Sequence, residues 1–447
     1  MMKRIVRDFL VCHSNLELPV LLALSGGADS LALLWILHEI KDELSFKFSV
    51  AHVDHRWRPS SHEEAQKLKE VVESLKIPFH LKVLDPEILT GNKENACRQE
   101  RLNFFRSLCQ EHHYQAVLLG HHADDQAETV LKRLFEGAGL TALGALRPVQ
   151  ELNQICLWRP LLPISKKKIL DWIQSRSLIP IDDYTNRDIR FTRAKFREQI
   201  IPSLSNQFGK EISPSLNRLG REASALSDYL DMRITEHLSK IVEGPFGTML
   251  DMQSTPGIPN IELKHLILRF FQRKEMALSY EEVETIVEFL QESKANKQIR
   301  SVDSCIFIDR KRLFLLNRQS HLHGMPLKIS YGTTTRHEWM IDVKDVEVDM
   351  TMLSSTSDWQ MAWKSSMLVI LPKGEYQLAV GVPGSQYLGS SSLSKLWNAA
   401  KVPAFLRNLL PVVMCKESIV HEFLTGKRKL PLSVGSEAME ICIKFKG

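Results

Sequence analysis

The sequence predicts an α/β protein: an N-terminal Rossmann-like parallel sheet, then a small mainly helical domain, then a small α+β C-terminal domain. Three observations carry this. Short apolar runs alternate with helix-length segments in the first half of the chain, as in a parallel sheet covered on both faces. Those runs end in polar residues, Ser25, Asp54 with His55, and His121 with His122, which a parallel sheet would gather at one edge, where ligands bind. From Leu216 the pattern changes to a long helical period.

The first strand, Pro19 to Leu24, stops at a Ser-Gly-Gly turn and restarts as a helix through Leu31 to Leu37. In Ser25-Gly26-Gly27-Ala28-Asp29-Ser30 the glycines let backbone N–H groups approach phosphate oxygens, and the two hydroxyls add donors. Asp29 would repel phosphate unless a cation lay between them, which predicts Mg²⁺. Residues 46–55 and 79–84 read as further strands, with a charged helix from Ser61 between them. Asn92 to His113 is a long helix and Ala116 to Gly120 a fourth strand.

Gly120-His121-His122-Ala123-Asp124-Asp125-Gln126-Ala127-Glu128-Thr129 then opens a helix. Its apolar stripe, Ala127, Val130, Leu131 and Leu134, leaves Asp125 and Glu128 on a common face. Two carboxylates there can bind Mg²⁺ or polarise a substrate; helix capping by Asp124 and favourable acid placement near the N-terminus is the alternative, and a phosphate loop nearby favours the first. Lys166-Lys167-Lys168 opens the helix Ser165 to Ser175 and suits either phosphate contact or a solvated face. Asp183 to Arg197 interleaves basic and aromatic residues and suits phosphate contact; ordinary surface salt bridges are the alternative. Arg193 and Arg197, four apart, can share a helix face.

These patterns divide the chain at 1–214, 215–320, a connecting region 321–357, and 358–447. The second segment has a helix of about seven turns from Leu216 to Ile241, helices at Ile261 to Arg273 and Tyr280 to Gln291, and a hairpin from Cys305 to Leu316. The last is strand-rich, with one helix, Leu393 to Ala400. Its cations Lys401, Arg407, Lys416, Lys427, Arg428 and Lys429 suffice to touch RNA, although many surfaces carry as many.

The 447 residues are 44% apolar and 25% charged, which suits folded domains with real cores. A net charge of +5 is too mild to imply nucleic acid without a local patch. Seven cysteines without a CxxC pair read as buried small residues in a reducing compartment. The basic start, Met1-Met2-Lys3-Arg4-Ile5, lacks a following apolar stretch and no run approaches membrane-spanning length, so a cytoplasmic protein is expected. No long heptad seam appears, which leaves the oligomeric state open.

The loop is not of the Walker type. Ser25 to Ser30 instead resembles the SGGxDS signature of the PP-loop ATP pyrophosphatases, which split ATP between the α and β phosphates to adenylate a substrate. His52-Val53-Asp54-His55, Ala96-Cys97-Arg98 with Arg101, the Gly120 to Thr129 stretch, Arg159-Pro160-Leu161-Leu162, and Asn186 with Arg193 and Arg197 narrow this further. Together they resemble the tRNA(Ile)-lysidine synthase family, closely as far as Lys210 and more loosely at Leu396, Val402-Pro403, Arg407 and Pro411-Val412-Val413. Arg56-Trp57 departs from the glycine and leucine usual there, and Cys97 from an alanine.

The resemblance implies that ATP adenylates the 2-carbonyl oxygen of the wobble cytidine in CAU-anticodon tRNA(Ile). The ε-amino group of free lysine then displaces AMP, and the resulting lysidine switches reading from AUG to AUA. It also implies Mg²⁺ at Asp29, Asp125 and Glu128, lysine near the acids, and the α-phosphate or tRNA backbone at Arg193 and Arg197, with Arg98 a further candidate. A tRNA thiolase on the same loop would ordinarily need paired cysteines or an iron–sulfur cluster. A silent tRNA-binding protein would have no need of three acids beside a phosphate loop.

Overall fold

The computed structural model describes all residues except 57–59, 86–92, 153, 182–191, 256, 301–304, 318–325, 337–338, 355–357, 365–366, 382–384, 388–390, 426–429 and 446–447. It comprises two compact units, Met1–Tyr229 and Leu230–Gly447.

The first unit runs α1 (Met2–His13), β1 (Val20–Ala23), α2 (Ala28–Leu44), β2 (Phe48–Asp54), α3 (Ser61–Ser74), β3 (Phe79–Val83), α4 (Lys93–His112), β4 (Val117–Leu118), α5 (Ala123–Phe135), β5 (Val149–Leu152), β6 (Ile155–Trp158) and α6 (Lys166–Ser175). After these come α7 (Thr192–Lys195), a π-helical turn Phe196–Ile200, α8 (Ile201–Phe208) and α9 (Ser213–Leu238), which continues into the second unit. The sheet order is β3-β2-β1-β4-β6-β5. All pairings are parallel except β5 with β6 at the edge.

Alternation along the strands sends side chains to two separate cores. Leu22, Val50 and Leu118 pack with α1, α2 and α6, while Leu21, Ala51 and Val117 pack with Phe105 and Leu108 of α4. Covering on both faces explains why β1 reads as an unbroken apolar run. The strand order reverses between β1 and β4, the switch point where such sheets open a crevice. Both the Ser25 to Ser30 loop and the His121-His122 segment leave the sheet there.

The second unit continues with β7 (Ile241–Gly244), β8 (Gly247–Asp251), α10 (Asn260–Gln272), α11 (Tyr280–Gln291), β9 (Lys297–Arg300), β10 (Cys305–Asp309) and β11 (Arg312–Leu316). The expected hairpin is present, with Cys305 opposite Leu316. The segment is less helical than expected, because these strands form a five-stranded antiparallel sheet, β7-β8-β11-β10-β9. The helical period was also read too far: α9 ends at Leu238, and Ile241 starts a strand that turns back through Gly244 to Gly247. Gly247 has φ +144°, and a Cβ there would lie 2.0 Å from the Leu315 carbonyl oxygen.

Beyond it lie β12 (Leu327–Lys328), β13 (Gly332–Arg336), β14 (Trp339–Glu347), α12 (Met350–Ser354), α13 (Trp359–Lys364), β15 (Met367–Pro372), β16 (Gln377–Val380), β17 (Gln386–Tyr387), β18 (Ser391–Ser392), α14 (Leu393–Ala399), β19 (Pro411–Cys415), β20 (Ser418–Glu422) and β21 (Glu437–Phe445). They build a six-stranded sheet, β12-β16-β19-β20-β17-β18, and a four-stranded one, β13-β14-β21-β15. The region expected only to connect therefore contributes a hairpin, and β14 pairs with β21 from Trp339↔Phe445 to Glu347↔Glu437. Trp339, Ile341 and Val343 are buried at alternate positions, which anchors that register.

The five-stranded sheet has two buried faces. Leu250 and Leu313 pack with Phe270 and Ile286 of the helices, while Met249 and Phe314 join the C-terminal core around Trp339 and Trp363. The middle and C-terminal segments thus share one core across residue 320. Of the free cysteines Cys97 is buried, as expected, but Cys12 and Cys305 are exposed. Among the described residues no helix is long and apolar enough to cross a membrane.

Phe314 is fully buried where the sheet meets the C-terminal core. Phe314→Ala is therefore expected to destabilise the second unit by about 3–5 kcal/mol, read as a lower urea midpoint for that unit's transition.

Candidate active site

The loop after β1 is built as its sequence requires. Gly26 has φ +89°, a conformation that favours glycine, and Gly27 is the N-cap of α2. Ser30 ties the turn together: its Oγ donates to the Gly27 carbonyl at 3.1 Å, accepts from the Ser25 N–H at 3.2 Å, and lies 3.1 Å from Ser25 Oγ. The His52 ring Nδ1 lies 2.7 Å from the Leu24 carbonyl oxygen, joining the ends of β1 and β2. Next to it Arg56 adopts φ +49°, where glycine would be at ease, and its N–H donates to Asp54 Oδ1 at 2.9 Å. Its neighbour Trp57 lies outside the described residues.

Gly120, at the exit of β4, touches this loop. A Cβ there would lie 3.0 Å from Ser30 N and 3.1 Å from the Asp29 carbonyl carbon. That approach brings the two motifs together. The His122 Nε2 is 3.7 Å from Asp29 Oδ1 and 3.4 Å from Asp125 Oδ2. His122 also caps α5: its Nδ1 accepts from the Asp124 N–H at 3.2 Å, and its own N–H donates to Asp125 Oδ2 at 3.0 Å. Burial would lower the His122 pKa, but the hydrogen bond with Asp124 and the charges of Asp125 and Asp29 outweigh it and raise the value.

Each acid has a cationic partner. Lys166 Nζ lies 2.8 Å from both oxygens of Asp29, and the Lys166 N–H donates to Asp124 Oδ2 at 2.7 Å. Arg197 donates to Glu128 through Nε at 2.6 Å and Nη2 at 3.0 Å, and to Asp125 Oδ1 at 3.2 Å. Burial raises the Glu128 carboxyl above its ordinary value although Arg197 opposes it. Arg197 sits in the π-helical turn after α7, a widened turn of the kind frequent at functional sites.

Arg193, on α7, faces a different neighbourhood. Burial, and then the charges of Arg98 and Arg193, hold the Arg101 guanidinium below its usual range. Arg159 is pushed down to about 10 by burial and by Arg98, and its Nε donates to His121 Nδ1 at 3.0 Å. Burial, joined by the charges of Arg159, Arg193 and Arg101, pushes His121 down to about 4 against the pull of Asp125. Three arginines thus bear on the His121 imidazole, and Arg98 bears on two of them, Arg101 and Arg159. The charge of Arg193 bears on Arg101 and His121, while Arg197 pairs with Asp125 and Glu128.

Asn186, Arg187 and Arg190 lie outside the described residues, as do Lys427, Arg428 and Lys429. Of the lysine run only Lys166 turns inward; Lys167 and Lys168 are exposed. In the C-terminal segment Arg407 donates to the Val402 carbonyl at 2.8 Å and lies over the Trp397 ring, whereas Lys401 is exposed. The pairing of Lys166 with Asp29 and the central place of His122 were not anticipated.

Carboxylate oxygens are the ligands Mg²⁺ prefers, and Asp29 and Asp125 flank a single ring nitrogen. Among the described residues no three metal-binding side chains converge into a cage of their own.

A family model described as the PP-loop domain matches residues 3–204. The chain is 35% identical over 443 residues to the tRNA(Ile)-lysidine synthase of Protochlamydia amoebophila, covering 98% of this chain and 96% of that protein. It is 37% identical over 273 residues to the tRNA(Ile)-lysidine synthase of Chlamydia trachomatis serovar D, covering 60% of this chain and 84% of that protein. Among solved structures, the U34-tRNA thiolase NcsA from Methanococcus maripaludis aligns at 20% identity with a TM-score of 0.41, covering 50% of this chain and 77% of that one. With a PP-loop and an acid-bearing helix in contact at the sheet's switch point, and a near full-length match at this identity, the chain belongs to the tRNA(Ile)-lysidine synthase family.

Proposed function

We propose that the protein uses ATP to join free lysine to the 2-position of the wobble cytidine of CAU-anticodon tRNA(Ile). The observation that carries this reading is the convergence of Asp29 of the phosphate loop and Asp125 of α5 on His122, with Arg197 clamping Asp125 and Glu128. In the first step the cytidine 2-oxygen attacks the α-phosphorus, the bond to the β-phosphate breaks, and pyrophosphate leaves. In the second the lysine ε-nitrogen attacks C2, the bond from C2 to the AMP oxygen breaks, and the amine gives up a proton.

The residues divide these tasks by charge. Ser25, Gly26, Gly27, Ala28 and Ser30 hold phosphate through N–H and hydroxyl donors. Asp29, with Asp125 or Glu128, holds Mg²⁺, which when bound offsets the charge of the departing pyrophosphate. The acids attract the lysine ammonium, and one of them takes its proton. Arg98, Arg101, Arg159 and Arg193 repel one another unless an anion lies among them, which suits the α-phosphate or the tRNA backbone.

The C-terminal segment is proposed to help select the tRNA. Because the core crosses residue 320, cutting the chain there would expose Met249 and Phe314, so surface variants are the cleaner probe. Lys401 and Lys416 are exposed. Lys401→Glu with Lys416→Glu should weaken tRNA(Ile) binding and flatten its salt dependence by roughly one unit of slope per contact; an unchanged titration refutes the role.

Asp29→Ala should lower ATP-dependent incorporation of labelled lysine by about a hundredfold or more, and near-normal turnover would remove Asp29 from the chemistry. Mass spectrometry of the wobble nucleoside decides the reaction: attached lysine supports ligation, sulfur indicates thiolation, and unmodified cytidine indicates a binding protein.

A further inference from the structure

Lys166 has no part in the reaction as set out above, yet it makes the closest ionic contact in the phosphate loop. Its ammonium is 2.8 Å from Asp29 Oδ1 and 2.8 Å from Oδ2, so both oxygens are engaged by one cation. Its backbone N–H is fixed to Asp124 Oδ2 at 2.7 Å, while the side chain is 36% exposed and that of Asp29 25%. The stem is thus anchored at the acid-bearing helix and the charged end can exchange partners with solvent and ligands. Lys167 and Lys168 have neither anchor nor partner in the loop and point outward.

Two consequences follow from this geometry. A divalent cation bound to Asp29 needs a carboxylate oxygen at roughly 2.0–2.1 Å, which the ammonium must give up. An ammonium released from Asp29 cannot go far, because its backbone stays tied to Asp124 beside the loop whose N–H groups receive phosphate. The nearest partner of opposite charge would be a phosphate oxygen at the pyrophosphate end.

We infer that Lys166 is an exchangeable counter-ion: it competes with the divalent cation for Asp29 and, once displaced, contacts the pyrophosphate portion of ATP. This makes Lys166 a further phosphate-contacting residue, and it rests on the reading of Ser25 to Ser30 as the pyrophosphate site. Charge on the β-phosphate grows as the α–β bond breaks, so a contact there acts on the step that releases pyrophosphate.

Direct binding to the full-length protein tests this without turnover. Lys166→Met keeps the stem and removes the charge. Calorimetric titration with Mg²⁺ or Mn²⁺ alone should then show about two- to fivefold tighter binding, the loss of an exposed ion-pair competitor. Titration with inorganic pyrophosphate in the presence of Mg²⁺ should show about tenfold weaker binding, the loss of a charge-assisted contact. Lys166→Arg, which retains the charge in a different shape, should lose clearly less pyrophosphate affinity than Lys166→Met. A merely structural role would move both affinities the same way or neither, and either result overturns the assignment. Pyrophosphate bound by the parent but unchanged in Lys166→Met overturns the role of Lys166 alone; pyrophosphate not bound by the parent overturns the site itself.

Discussion

Like charges gathered at one sheet edge are the constraint on which the site depends. Asp29 and Asp125 approach the same nitrogen of His122 from two sides, and Glu128 follows one helical turn later. At such range carboxylates push one another toward protonation unless cations offset them. Lys166 arrives from α6, Arg197 from the π-helical turn after α7, and His122 from the exit of β4. The counter-ions come from three separate elements, so the acids fix the ends of those elements against one another.

The close approach of the two motifs depends on the missing side chain at Gly120. The strand register puts Leu22 beside Leu118, so β1 and β4 leave the sheet as neighbours and their exits share the switch-point crevice. Neighbouring exits alone would not bring Asp29 to His122. A Cβ at Gly120 would meet Ser30 N and the Asp29 backbone at about van der Waals limits or closer, and relief would push the His121-His122 segment away from α2. The glycine before the histidine pair is therefore part of the electrostatics, although it carries no charge.

Local signals were legible and non-local ones were not. β1, β2, α3, β3, α4 and α6 could be read because apolar period and turn residues are local properties of the chain. The loop and Asp125 with Glu128 were legible because each motif lies within a few residues at a strand-to-helix junction. No local property marks Lys166 out from Lys167 and Lys168; only the position of Asp124 selects it. Arg197 pairs with Glu128 and Asp125 of α5, partners that no spacing within its own segment discloses. The strand Trp339–Glu347 owes its place to a partner at the far end of the chain, Glu437–Phe445, so its own composition suggested only a connection.

The histidine pair marks where the sign of the potential reverses. His121 lies against Arg159 and is pushed down to about 4, while the adjacent His122 lies among Asp29, Asp124 and Asp125 and is raised. Successive residues thus separate a cationic half, with Arg98, Arg101, Arg159 and Arg193, from an anionic half. The proposed reaction needs both at once. Phosphate groups must be held while the α–β bond breaks, and a cationic amine must be drawn to the same carbon and relieved of its proton. A site uniformly basic would hold ATP and repel lysine, and one uniformly acidic would do the reverse. Placing the boundary within a single dipeptide puts the two binding halves about as close as separate charge clusters can lie, which suits two substrates that must meet at one base.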